Sequence, residues 1–299
     1  LSYDFASEVG GCHYTPRTEY VDVYLNNRFL GNYLMTQAVG EGKEKVDIDI
    51  TKNEFLFEYE PFVGYSNPNC IATPILGILL GFNEPEQPTA EQFEWLNLFL
   101  AEAESALVSY DFERIAEYFD IDSFVDFYIV NELFKDVDFS TSSTRFYLKK
   151  GRLYAGPLWD MDLSSGNVSE EAGYYGEYWN SNTSGDSTES FYCRKIWYRE
   201  LFGCQKFGEL VRKRYAKLQP QIVNLTTDNE LGLNRIDRLI AKYGKSFAAN
   251  YEKAGWSVSY VYGEFESRYP AKTYEGNVEY LREWLIRRNA WLLHELGIS

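Results

Sequence analysis

Residues 131–167, NELFKDVDFSTSSTRFYLKKGRLYAGPLWDMDLSSGN, carry two Asp-x-Asp pairs. Asp136 and Asp138 follow a helical stretch, and Asp160 and Asp162 follow a predicted hairpin. A hairpin returns its ends close together, so the two pairs are expected to meet in space. Facing carboxylates repel and raise each other's pKa unless a cation compensates. Oxygen-only donors suit Mg²⁺, Mn²⁺ or Ca²⁺. With one pair on a metal and one Asp orienting a hydroxyl nucleophile, such a site divides its labour as phosphoryl transfer requires. Helix, loop with Asp, short hairpin and metal-binding Asp follow one another as they do in a protein-kinase C-lobe. The bland alternative makes each pair a solvated turn or cap, but two pairs bracketing one hairpin favour chemistry. A calcium loop is the rival, with Asp160, Asp162, Ser164 and Glu171 at positions 1, 3, 5 and 12. It places Ser165 where the sharp-turn glycine belongs, and its upstream flank reads as strand. Asp47 and Asp49 alternate with apolar residues as in an ordinary strand, and Asp120 and Asp122 read as helix N-caps.

The elements that must position these residues follow from periodicity. Leu1, Phe5 and Val9 recur at helical spacing, and Gly10-Gly11 supplies a stop. Val21, Val23 and Leu25 alternate with polar neighbours, Asn26-Asn27 turns the chain, and Arg28 to Gln37 returns. A third strand is predicted over Phe55–Tyr59. Between Glu60 and Pro88, four prolines with Gly and Asn predict irregular connection and a lobe boundary. Thr89 predicts an N-cap for a helix carrying Phe93, Leu96 and Leu100. A second helix begins near Asp122, with Phe124, Phe127, Tyr128 and Phe134 as its apolar stripe. The hairpin Arg145–Leu148 and Leu153–Trp159 turns at Lys150-Gly151. Residues 173–190 read as a long surface loop. The remaining residues are mostly helical and end in a stretch with Leu281, Trp284, Leu285, Trp291 and Leu292.

Composition narrows the function classes. The 299 residues include 45 acidic and 29 basic side chains, a net charge of −16 and a pI near 4.7. That balance argues against non-specific nucleic-acid binding, which needs a basic face. Hydrophobic residues make up 45%, enough for a sizeable core in one or two domains. No apolar run approaches the ~20 residues that cross a bilayer, and the first residues do not read as a signal peptide. His13 and His294 are the only histidines, so a His-ligated zinc site and a His-based triad are disfavoured. Cys12, Cys70, Cys193 and Cys204 lack C-x-x-C spacing, and their pairing stays open. An acidic chain with 25 Tyr and 2 Met points towards secretion. Asn167, Asn182 and Asn224 begin glycosylation-type triplets, and Tyr174, Tyr175, Tyr178 and Trp179 offer rings that stack on a sugar or a base.

At these residues the chain resembles the CotH family, the spore-coat protein H-like atypical kinases. VDVYLNNRFLGNYLMTQAV looks like its strand–turn–strand signature, with Gly31 and Tyr33 in place. FVDFYIVNELFKDVD resembles its helix and first acidic loop, and WLIRRNAWL its closing helix. GRLYAGPLWDMDLSSGN, the most specific piece, is close to its G-P-[VL]-W-D-[FM]-D-x-x-x-G-N signature. The resemblance implies an α+β, two-lobed kinase-like fold. Residues 1–85 would form a small, β-rich, partial N-lobe and residues 86–299 a larger, mainly helical C-lobe. It implies phosphate transfer from ATP to Ser or Thr of a protein, with Mg²⁺ or Mn²⁺. Asp138 then matches the catalytic aspartate, Asp160 and Asp162 the metal pair, and Gln37, Trp159 and Asn167 the nucleotide-side positions. Gln37 stands where Glu is usual, and Asp136 where Asn is common. The family's basic nucleotide-contacting segment is expected upstream of residue 1. Relatives in modular, secreted bacterial proteins imply an extracellular or cell-surface location. A protein substrate or an assembly partner is then expected, with a non-catalytic glycan- or protein-binding module as the alternative.

Overall fold

The computed structural model describes residues 1–62, 69–140, 142–167, 188–257 and 273–298. The chain folds as α+β, with a β-rich N-terminal part and a helical C-terminal part. Helix α1 (Ser2–Val9) buries Tyr3, Phe5, Ala6 and Val9 and ends on Gly10, whose φ of 83° only glycine adopts readily. Strands β1 (Thr18–Leu25) and β2 (Arg28–Thr36) form the antiparallel hairpin that the alternation predicts. Asn26 and Asn27 both take positive φ at its turn, as a tight hairpin requires.

A second, five-stranded antiparallel sheet contains β3 (Phe55–Tyr59), β4 (Cys70–Ala72), β5 (Leu79–Glu84), β6 (Arg145–Lys149) and β7 (Arg152–Ala155). Their spatial order is β4-β5-β3-β6-β7. Residues 60–88 are therefore not wholly irregular, because β4 and β5 lie within them. Leu79, Leu80, Gly81 and Phe82 are all buried, so β5 lacks the alternation that marks a one-sided strand. The prolines stand outside both strands. The sheet draws strands from both sides of residue 85.

Helix α2 (Ala90–Val108) opens with a reciprocal capping box between Thr89 and Gln92. After α3 (Phe112–Tyr118) comes α4 (Ile121–Phe134), capped by the Asp120 carboxylate, which accepts from the Ser123 N–H. Instead of presenting a stripe, α4 is buried from Ser123 to Phe134. It is enclosed by α1 and β7 together with α6 (Gln205–Lys217) and α9 (Tyr274–Glu295). The remaining α-helices among the described residues are α5 (Tyr198–Leu201), α7 (Gln219–Val223) and α8 (Arg235–Glu252). Helix α8 carries the first hairpin. The Asn32 N–H donates to Asn250 Oδ1, and Tyr20 packs on the rings of Tyr243 and Phe247.

Total burial obliges the charged residues of α4 to find partners. Asp126 receives two hydrogen bonds from Arg214, at 2.7 and 2.9 Å. Glu132 pairs with Arg288 of α9 at 2.6 Å, and the Arg288 side chain is 0% exposed. Arg288 also donates to the carbonyls of Glu132, Thr188 and Ser190. The Glu132 carboxylate accepts in addition from the N–H groups of Tyr192 and Cys193. One ion pair thus joins α4, α9 and the chain at 188–193. Arg288→Met strands the Glu132 charge, and a loss of about 3–5 kcal/mol in urea unfolding is expected. Replacing both partners with apolar residues should recover part of it.

Candidate active site

Helix α4 stops at Lys135, which takes a left-handed φ of 48°. The chain then leaves the helix axis and enters the first acidic loop. The Asp136 N–H bonds back to the Asn131 carbonyl, and the Val137 N–H donates to the Leu163 carbonyl in the second acidic loop. In return the Ser165 N–H donates to the Phe134 carbonyl. These two reciprocal backbone bonds lock residues 134–137 against 163–165. The sequence places the two Asp pairs at the ends of a hairpin, and this lock brings them together.

One carboxylate oxygen from each of Asp138, Asp160 and Asp162 lies within 4.8 Å of the others. Asp138 is buried, whereas Asp160 and Asp162 reach solvent. Asp136 lies beneath them, 3% exposed, and its Oδ1 accepts from the Asp138 N–H. Desolvation above all, then the charge of Asp138, pushes the Asp136 carboxyl far above the usual range. That hydrogen bond opposes the shift only in part, and Asp160 and Asp162 add to it. The Asp162 carboxyl is also raised, first by the protein packed round it and then by Asp160 and Asp138.

Local contacts hold the loops in this crowded state. Asp160 has a left-handed φ of 54°; its N–H donates to the Tyr3 hydroxyl, and its carboxylate accepts from Ser143 Oγ at 3.3 Å. Asn167 Nδ2 donates to the Asp162 carbonyl at 2.9 Å. Gly166 has a φ of 80°, and a Cβ there would stand 2.6 Å from Tyr280 Oη and 2.7 Å from Trp284 Nε1. Both conformation and space therefore require the glycine of the G-N pair. From below, Lys135 Nζ donates to the Glu189 carbonyl and Ser190 Oγ, and the Tyr192 hydroxyl donates to the Val137 carbonyl.

Beside the carboxylates opens a cavity of about 490 Å³, walled by Tyr3, Leu34, Thr36, Trp159, Asp160 and Asp162. The Arg145 guanidinium lies 4.6 Å from the Trp159 ring centroid and pairs with Glu58 at 2.8 Å.

Of the residues singled out in the sequence, Asp138, Asp160, Asp162 and Trp159 come together here. Asn167 does not line the cavity; it clamps the backbone of the Asp162 loop. Gln37 is not brought in either, although its neighbour Thr36 is. Gln37 Nε2 donates to the Glu44 carbonyl, and its Oε1 accepts from the Arg17 N–H. The calcium-loop alternative meets β7 and extended chain, not a helix, before Asp160. Its Glu171 falls outside the described residues, as do Tyr174, Tyr175, Tyr178, Trp179 and Asn182. The Asn224 triplet is a structural motif, because Asn224 is buried and its amide donates to the Thr227 carbonyl. All four cysteines are free thiols. Tyr3 and Ser143 are site residues that the sequence reading did not reach. Each acts through a contact remote in sequence, and only the Ser/Thr run after Asp138 gave a signal.

The family model described as CotH kinase protein matches residues 1–292. The chain belongs to the CotH family. A search of curated proteins finds no match. Family membership supports a general atypical kinase-like function, with nucleotide and divalent metal use as its suggestion. The donor set fits such a metal, since three carboxylates within reach of one another form a hard, all-oxygen site.

Asp136 supplies a test that needs no substrate. Its raised pKa keeps the neutral form in the folded chain, whereas the unfolded chain releases that proton at ordinary carboxylate pH. The folded state holds the extra proton between those two pKa values, so stability falls as pH rises through that window. Asp136→Asn keeps the acceptor for the Asp138 N–H and never ionises. In metal-free thermal melts the variant should exceed the wild type, by a margin that grows from pH 4 upward. A margin independent of pH would contradict the assigned titration.

Proposed function

We propose that this chain is a Mg²⁺- or Mn²⁺-dependent kinase that transfers the terminal phosphate of ATP to Ser or Thr of a protein. The observation that carries the reading is the approach of buried Asp138 to Asp160 and Asp162, the latter two of which line a cavity. Asp138 accepts a hydrogen bond from the acceptor hydroxyl, orients it, and takes its proton as the hydroxyl oxygen bonds to the terminal phosphorus and ADP leaves. Asp160 and Asp162 would hold the cation, which when bound neutralises charge on the phosphoryl oxygens. Trp159 contributes an aromatic wall beside them. Tyr3 and Ser143 orient Asp160, and Asn167 fixes the loop of Asp162. Asp136 lies too deep to meet substrate and acts through the Asp138 N–H. A protein acceptor at an extracellular or surface location of a bacterium is the setting that the family resemblance favours.

Two measurements test this reading. Calorimetric ATP binding should require Mg²⁺ or Mn²⁺ and vanish in Asp160→Ala/Asp162→Ala. Asp138→Asn should stay folded, with a melting temperature no lower than the wild type, and retain ATP binding, but lose about 10²–10⁴-fold in phosphate transfer. Undiminished transfer by a folded Asp138→Asn protein would remove Asp138 from the mechanism.

A further inference from the structure

We infer that a basic pocket, joined to the acidic site by an intervening cavity, docks an acidic segment of the acceptor polypeptide. The inference rests on the kinase reading for the word acceptor, and on separate residues for the binding. The pocket, about 530 Å³, is lined by Arg17, Lys43, Lys45 and Lys149 together with Tyr14 and Gln37, among others. Four cations around one concavity stand out in a chain of net charge −16. Glu44 and Asp47 also line it, but Asp47 is already engaged by Lys149 at 2.8 Å. Among the described residues, Arg17, Lys43 and Lys45 form no ion pair. Half-buried Tyr14 also lines the pocket, and its hydroxyl has no hydrogen-bond partner among the described residues.

The pocket belongs to a run of three cavities with shared walls that ends at the active site. The cavity beside the carboxylates shares Tyr3 and Thr36 with a middle cavity of about 660 Å³. The middle cavity in turn shares Ser7, Thr15, Arg17 and Gln37 with the basic pocket. Such a run of cavities exceeds the needs of a small inorganic anion and suits an extended chain whose hydroxyl lies at the Asp160 and Asp162 end, whose uncharged part passes Asp4 and Glu19, and whose Glu or Asp side chain meets Arg17 and the lysines. Gln37 stands at the junction with its amide already bonded to the Glu44 carbonyl and the Arg17 N–H. A glutamate there would place a negative charge between the two compartments and oppose the anionic segment. The neutral amide adds no further charge to that of Asp4 and Glu19, which also line the middle cavity.

Binding of fluorescein-labelled Ser peptides to the full chain, read by anisotropy without nucleotide, tests the inference. A Glu-flanked peptide should bind about tenfold more tightly than its Gln-flanked analogue, the summed effect of a few exposed ion pairs. Arg17→Gln/Lys43→Gln/Lys45→Gln should abolish that preference while keeping the melting temperature and Mg²⁺-ATP binding. Equal binding of the two peptides by the wild type, or a preference that survives the triple substitution, would overturn the inference. Inorganic phosphate binding as tightly as the Glu-flanked peptide would overturn the polypeptide assignment. A triple-sensitive preference without phosphate transfer to any peptide would leave the docking pocket standing and count against the kinase reading alone.

Discussion

Mutual repulsion among carboxylates is the constraint round which this molecule is built. Asp138, Asp160 and Asp162 converge within 4.8 Å, and Asp136 is sealed beneath them. Left to themselves, such groups separate or take up protons. The carboxyls of Asp136 and Asp162 are raised first by burial and then by their acidic neighbours. A fold that maintains the crowding must supply opposing stabilisation elsewhere, and the three carboxylates so held would suit a divalent cation.

The opposing stabilisation lies directly behind the acidic loops. Helix α4 is enclosed on all sides and ends in the residues that lead to Asp136. Its Glu132 is gripped by fully buried Arg288, which also gathers the carbonyls of Thr188 and Ser190. Lys135 and Tyr192 tie the same stretch of chain to the first acidic loop. The second acidic loop closes over Gly166, where α9 leaves no room for a side chain. The backbone bonds between Val137 and Leu163 and between Ser165 and Phe134 then fix one loop against the other. The carboxylates are consequently pre-positioned, and a cation would find its donors without reordering the chain.

Much of this was legible in the sequence because it is local. Asn26-Asn27 predicted the first hairpin, Thr89 the start of α2, and Phe55–Tyr59 a strand with the bounds observed. The two Asp-x-Asp pairs at the ends of one hairpin predicted their own meeting. What escaped was long-range. Strand β5 is buried on both faces and short, so neither alternation nor length marked it against the surrounding prolines. Helix α4 looked one-sided because aromatic spacing suggested a stripe, whereas its charged residues are buried through partners on α6 and α9. Tyr3 reaches Asp160 across most of the fold's N-terminal part, a contact that no local pattern encodes. Gln37 and Asn167 were legible as motif positions, but position in a motif did not reveal that one leaves the cavity and the other serves the backbone.

The most direct test of the central claim is a Mn²⁺ titration of the folded chain followed by electron paramagnetic resonance, without nucleotide and at neutral pH. The account predicts saturable Mn²⁺ binding, displaced by Mg²⁺. Asp160→Asn/Asp162→Asn should abolish this binding without unfolding the chain. Absence of saturable binding in the wild type, or equal binding in the double variant, would contradict the claim that this crowd of carboxylates is built to hold a divalent cation.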